Sequence, residues 1–352
     1  GFGSESLSGR AILVHQHINT STHQHINMVH WGFIGCGSVT EKKSGPAFSK
    51  VEASDVVAVM RRNIEKARDY AERHAIGKWY DNAQELINDS QVNAVYVATP
   101  PGSHAEYAIA AMKAGKPVYV EKPMAASYEE CLQMNRVSVE TGIPCFVAYY
   151  RRTLPYFLRV KQLIDDGLLG KISTVQIGFA IPPYAADYDR NNLPWRVKKH
   201  IAGAGYFYDL ASHQLDLIDF LFGEIEHAEG FSNNMAGLYD AEDTVTTAFR
   251  CQSGVLGAGN WSFVAPKDTR TDKIDIVGTK GKLSFSTFDF SPILLETSEG
   301  IQEFREENPE NIQFYLIQSI VNYLNGKSEL PVSMAATAIR TNYIMDRILK
   351  KI

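Results

Sequence analysis

Asp209 and His213 stand four residues apart, and on a helix that spacing puts two side chains on one face with Cβ atoms about 5 to 6 Å apart. Asp216 lies three further along the same stripe. Histidine changes protonation near neutral pH, as conversion between a hydroxyl and a carbonyl requires. The run Gly203-Ala204-Gly205 precedes this segment. A second chemical group is Lys122, in Glu121-Lys122-Pro123, which directly follows an apolar run over 118–120. An ammonium at the carboxyl edge of a strand can hydrogen-bond a substrate oxygen and stabilise negative charge developing there.

A third feature is the turn Gly35-Cys36-Gly37, which follows an apolar run and leads through Ser38 and Val39 into a helix. Gly35 permits a tight turn, and Gly37 lets the backbone approach a pyrophosphate at a helix N-terminus. The usual third glycine is absent and Thr40 stands in its place. Arg61, Arg62 and Asn63 close the next apolar run, where a carboxylate would accept the ribose 2′-hydroxyl and repel a 2′-phosphate. Arg61 follows Gly37 at close to the ~20-residue distance expected of the discriminating position. A guanidinium there binds phosphate through two hydrogen bonds and stacks on adenine, so NADP is expected over NAD. Thr99-Pro100-Pro101, with His104 after it, ends another apolar strand, so it belongs to the sheet edge where ligands of doubly wound folds bind.

Alternating short β-rich runs and amphipathic stretches are needed to hold these loops at one edge. Strands are expected over 29–34, 56–60, 94–98, 118–120 and 145–148, with helices over 64–74, 104–114 and 128–141, the last two stopped by Gly115 and Gly142. That is an α/β, doubly wound parallel sheet of Rossmann type over 28–150. Beyond it come a helix over 155–166, a strand over 172–179, a Pro/Tyr/Asp-rich loop over 181–195 and a long helix over 206–222. Runs over 226–232, 244–250, 255–263, 273–277 and 282–286 then read as strands, with Gly278-Thr279-Lys280-Gly281 as a turn. Residues 151–352 therefore form an α/β substrate domain with a large, mostly antiparallel open sheet, closed by helices over 312–325 and 334–350 that can pack back on the first domain.

The chain has 352 residues, 45% of them hydrophobic, and a net charge of −5 with both signs interspersed. Two globular domains follow, with no polybasic surface for nucleic acid or anionic lipid. No apolar run nears the ~20 residues that cross a bilayer. Cys36, Cys131, Cys145 and Cys251 form no CxxC pair, so neither a zinc site nor a disulfide scaffold is indicated and a reducing, cytoplasmic setting is expected. Residues 1–27 repeat His-Gln-His-Ile-Asn and read as a flexible leader or an appended extension, with Met28 as the natural start.

Together, Gly35-Cys36-Gly37, Ala98-Thr99-Pro100-Pro101 with His104, Glu121-Lys122-Pro123, and Gly203-Ala204-Gly205 followed by Asp209 and His213 resemble the glucose-fructose oxidoreductase, inositol dehydrogenase and MocA (Gfo/Idh/MocA) family, from Met28 to the C-terminus. The resemblance implies hydride transfer between a nicotinamide cofactor, NADP or NAD, and a secondary alcohol of a sugar, cyclic polyol or diol. It further implies that Lys122 orients substrate and tunes proton chemistry, that His213 is the acid/base and that Asp209 positions the substrate, with no metal. Tyr150, Arg151, Trp195 and Arg196 are expected at the pocket by their proximity to these elements. The open sheet implies a homodimer or homotetramer. A cofactor-sensing regulatory protein on the same fold is the rival reading, and a dihydrodiol or other carbonyl dehydrogenase a third.

Overall fold

The computed structural model describes residues 27–352. The leader with its repeated His-Gln-His-Ile-Asn lies outside the described residues, apart from Asn27. Among the described residues, six parallel strands form the first sheet: β1 Val29–Ile34, β2 Ser54–Met60, β3 Lys78–Tyr80, β4 Ala94–Val97, β5 Val118–Val120 and β6 Cys145–Val147. Their order is β3-β2-β1-β4-β5-β6, in which the chain reverses direction across the sheet between β1 and β4 and opens a crevice at the strands' carboxyl ends. Alternation along each strand feeds two cores. Trp31, Phe33, Tyr96, Tyr119 and Phe146 face one side, packed with Phe48 and the helix Phe314–Leu324. Ile34, Val95, Val97, Val118, Val120 and Val147 face the other, against the helices His104–Lys113 and Tyr128–Thr141.

Local chemistry sets the helix ends. Asn63 accepts from Lys66 N, Asn82 from Gln84 N and Ser127 from Glu130 N, each satisfying a first-turn amide. Gly142 ends the helix Tyr128–Thr141 in a left-handed conformation at φ 69°. The helix expected after the glycine turn is the short Ser38–Lys42, while the strand β3 and the helices Gly45–Lys50 and Ala83–Asn88 were not expected; each is too short to show a hydrophobic period.

The second sheet has eight strands: β7 Ile172–Ala180, β8 Ile225–Asn233, β9 Thr244–Cys251, β10 Leu256–Ser262, β11 Thr271–Gly278, β12 Gly281–Phe285, β13 Ile293–Thr297 and β14 Gly300–Phe304, in the order β14-β13-β12-β11-β7-β10-β9-β8. All neighbours pair antiparallel except β7 with β10. The hairpin β13–β14 lies beyond the strands expected from the sequence, its second strand exposed along nearly its whole length. One sheet face buries Val175, Ile177, Phe249, Trp261, Ile274 and Ile276 under helices; the alternate positions are left uncovered, as on β9.

The helix expected over 206–222 is two pieces. Phe207–Ala211 is a wide π-type turn, and Ser212–Phe222 continues as α-helix. Asp216 is not part of a polar stripe toward the site. It is almost fully buried and paired with Arg152, whose Nε and Nη2 donate to its two carboxylate oxygens at 2.9 and 2.8 Å. Asp219 joins this network by accepting from Arg152 and Arg340.

Candidate active site

The carboxyl ends of β1, β2, β4 and β5 open onto a cleft of about 1360 Å³ that continues to the helix Ser212–Phe222 and the loop after β12. At its nucleotide end, Gly35 takes φ +94° and donates its N–H to Met60 O at 2.9 Å, fastening the turn to the end of β2. A Cβ there would stand 2.7 Å from Thr99 Cγ2 and 2.9 Å from the Ala98 carbonyl carbon. At Gly37 a Cβ would meet nothing within 4 Å among the described residues, so this residue lacks a side chain where they impose no limit, and the space belongs to the cleft. Ser38 and Val39 line the same end. Thr40, in the third-glycine position, is buried and donates its hydroxyl to Gly37 O at 2.8 Å. The close approach that a glycine would give there is supplied by Gly45, where a Cβ would fall 1.9 Å from Thr40 O.

Arg61 and Arg62 line the rim, and Arg61 Nη1 donates to Cys36 O at 3.4 Å. Lys43 and Lys66, which the sequence reading did not single out, add positive charge to the same lining. Cys36 itself was expected among the cofactor contacts, but its thiol turns inward to Met60 O and is fully buried, its pKa raised to about 11 chiefly by that burial.

Thr99, Pro100 and Pro101 form one wall of the cleft. His104 was also expected there, yet it lies beneath the wall, fully buried. Its ring nitrogens are 2.7 Å from Thr99 O and 3.1 Å from Pro123 O. Burial holds its pKa below the ordinary value, so the neutral ring donates to one of these carbonyls and spaces the two loops. Glu121 is fixed by Tyr96, whose hydroxyl donates to Oε1 at 2.6 Å, and by Gln313 Nε2 at 2.7 Å. Gln313 comes from a segment 192 residues away, and nothing in the local sequence pairs it with this loop.

Lys122 follows with its peptide bond to Pro123 in the cis form. Its ammonium donates to Asp209 Oδ1 at 2.5 Å and to Asp209 O at 2.7 Å. Arg196 Nε donates to Asp209 Oδ2 at 3.0 Å, and its guanidinium stacks 4.6 Å over Trp195. Burial alone would raise the Asp209 carboxyl; the charges of Lys122 and Arg196 outweigh it and hold the pKa below the usual value. The π-type turn is what carries Asp209, including the carbonyl that Lys122 reaches.

His213 is 4% exposed. Tyr149, Tyr150 and Phe288 pack edge-on against its ring at centroid distances of 6.3, 5.5 and 5.8 Å. Its Nδ1 is buried with no partner among the described residues, while the residue lines the cleft. Burial first, then the cations Arg151, Lys122 and Lys43, drive its pKa well below 6.5, so the ring is neutral at pH 7 and able to accept a proton. Tyr150 and Arg151 border it; Phe288 and Phe290, in a loop that reads as featureless in sequence, close the wall. The loops therefore bring together a glycine turn, a lysine–aspartate pair and a neutral histidine, a set able to hold a dinucleotide beside an alcohol and move its proton.

Comparison with known proteins agrees with this architecture. Residues 29–149 match the oxidoreductase family with an NAD-binding Rossmann fold, and 157–284 match the GFO/IDH/MocA C-terminal domain. Oxidoreductase P35 of Formosa agariphila is 38% identical over 320 residues, covering 90% of this chain and 97% of that protein. The scyllo-inositol 2-dehydrogenase (NAD(+)) of Bacillus subtilis (strain 168) is 27% identical over 77% of this chain and 79% of its own. In fold, a levoglucosan dehydrogenase solved in complex with NADH and levoglucosan superposes with a TM-score of 0.82 at 24% identity, covering 92% of this chain and 96% of that one. The chain belongs to the Gfo/Idh/MocA family of oxidoreductases.

Proposed function

We propose that this protein transfers a hydride between nicotinamide C4 of NADP and a secondary alcohol or carbonyl of a sugar, cyclic polyol or diol, with Lys122 and His213 as its acid/base pair. The observation that carries the reading is that Lys122, Asp209 and His213 line the same cleft as the Gly35–Gly37 turn. The cradle suits a dinucleotide: Gly37 adds no side chain, and Arg61, Arg62 and Lys66 surround the far rim with no carboxylate directly after β2. Gly35, Gly37, Ser38, Val39 and the wall Thr99-Pro100-Pro101 would hold the cofactor. When bound, a nicotinamide supplies or accepts the hydride.

The chain's own groups do the rest. Neutral His213 takes the hydroxyl proton, and Lys122 donates a hydrogen bond to the same oxygen as its charge grows. Asp209 holds the lysine in place and, with Arg196, orients the neighbouring hydroxyls. Arg61 favours a 2′-phosphate, so NADP is preferred to NAD. The substrate relatives named above support the sugar and polyol class. A homodimer or homotetramer through the uncovered face of the second sheet accompanies this reading; light scattering on the purified chain checks it.

The test is a titration with NADPH and NADH, followed by a screen of polyols, aldoses and diols monitored by reduced-cofactor absorbance. Turnover that collapses in His213→Ala and Lys122→Ala supports the assignment. Tight cofactor binding without turnover on any of them would instead establish a cofactor sensor. Among the described residues no helix is long and apolar enough to cross a membrane.

A further inference from the structure

Arg151 is 4% exposed, yet its guanidinium is largely uncommitted. Nε donates to Thr287 O at 3.1 Å, and Nη1 is buried without a partner among the described residues. The aromatic rings of Tyr150 and Phe288 lie 5.1 and 4.7 Å from its central carbon. Ring contact occupies the guanidinium faces, so further hydrogen bonds must come from the in-plane Nη edge. That residue lines the substrate end of the cleft and shares Tyr150 and Phe288 with His213.

No carboxylate among the described residues pairs with Arg151: Glu121, which also lines the cleft, is held by Tyr96 and Gln313. Lys122, Arg151 and Arg196 bring three cations, and Asp209 is shared between two of them. His213 adds no charge. Asp272, at the start of β11, is spent on the amides of Thr287, Phe288 and Asp289 and forms no ion pair with Arg151. A buried guanidinium whose Nη1 has no acceptor among the described residues is costly unless a ligand completes it.

We infer that Arg151 anchors a carboxylate on the substrate, so that the preferred sugar or polyol is an acidic one, of the uronate or aldonate class. The inference rests on the hydride-transfer reading above for the site's identity. A carboxylate matches the free edge in plane and charge, receiving two parallel N–H donors, whereas a neutral hydroxyl accepts one and leaves the charge unanswered. Arg151 is thereby a specificity residue, acting on the end of the substrate that does not react.

The experiment titrates the cofactor-saturated protein with D-glucuronate and D-glucose, and with D-galacturonate and D-galactose, by calorimetry, then assays the same four for turnover. The acidic member of at least one pair should bind ten-fold or more tightly, with a preference that shrinks as salt is raised. Arg151→Gln should bring the ratio near one, and Arg151→Lys, which keeps the charge without the fork, should retain part of it. Should either variant fail to fold, the wild-type ratio and its salt dependence decide. Equal binding of acidic and neutral sugars, no binding of either, or an Arg151→Gln protein that loses cofactor affinity and keeps the ratio, overturns the inference. Preferential binding of an acid with no turnover leaves the anchor standing and removes the hydride-transfer reading instead.

Discussion

Lys122 and Asp209 lie 87 residues apart in sequence, and the ammonium of one bonds both the carboxylate and the main-chain carbonyl of the other. The lysine comes from the carboxyl end of β5 and the aspartate from the π-type turn whose Phe207, Tyr208 and Ala211 pack into the core of the second sheet. The pair therefore joins the first sheet to a turn packed on the second, and its geometry depends on both sheets. Two contacts from one ammonium restrict it more than a single ion pair would, since moving the lysine loses the carbonyl as well as the charge.

Replacing Lys122 by Ala should lower kcat by about 10²- to 10⁴-fold, the usual worth of a positioned acid or base. Asp209 keeps its Arg196 partner, so the fold should survive. Steady-state rates on a substrate found by the screen, with a melting curve beside them, measure this; a wild-type kcat in a folded variant removes Lys122 from the chemistry.

His213 should set the acid limb of the rate profile. Its folded pKa lies well below 6.5 because of burial and the charges of Arg151, Lys122 and Lys43, so kcat/KM should fall only at pH values well under 6.5. Arg151→Gln removes one of those charges and should move the limb upward. The stability sign follows from the same shift: below 6.5 the unfolded chain binds a proton that the folded chain refuses, so this group withdraws stability as pH falls through that value. An acid limb at or above 6.5 in the wild-type enzyme would remove the assignment.

The two glycines of the turn should respond differently. Gly35→Ala needs a left-handed backbone and pushes a Cβ against Thr99 and Ala98, so it should lower the melting temperature. Gly37→Ala meets no atom of the described residues within 4 Å and should melt as wild type while binding NADPH more weakly, by fluorescence titration. Equal melting and equal binding in both variants would disprove the distinction.

Arg61→Ala should weaken NADPH by about 10- to 100-fold, the scale of one or two charge-assisted hydrogen bonds, and NADH much less. If the wild-type protein binds NADH as tightly as NADPH, Arg61 does not discriminate.

Arg152→Ala leaves Asp216 buried without its bidentate partner, at a cost of about 3 to 5 kcal/mol in denaturant unfolding. Asp219 retains Arg340. A loss under 1 kcal/mol would show that water or Arg340 substitutes for the missing guanidinium.

Much of this was legible in the residues. β1 and β5 begin and end where their apolar runs do, and Gly278 to Gly281 makes the turn between β11 and β12. Lys122, Asp209 and His213 could be singled out because each follows a strand or glycine signal. Gln313, Phe288 and Lys43 could not, since only tertiary packing takes them to the cleft. His104 and Asp216 looked functional because burial has no signature in a polar residue; the one props two loops and the other neutralises Arg152. The π-type turn was invisible for a related reason, because its residues keep the apolar content of an ordinary helix.

The helix Ala335–Ile348 gives Ala338 and Ile339 to the core of the first domain and Ile344, Met345 and Ile348 to that of the second. One wall of the first sheet is thus a helix that follows the whole of the second sheet in the chain. During synthesis, its packing cannot be completed until that helix has left the ribosome. For the same reason, recombination that keeps the first sheet and replaces everything after residue 150 would inherit an interior without Ala338 and Ile339.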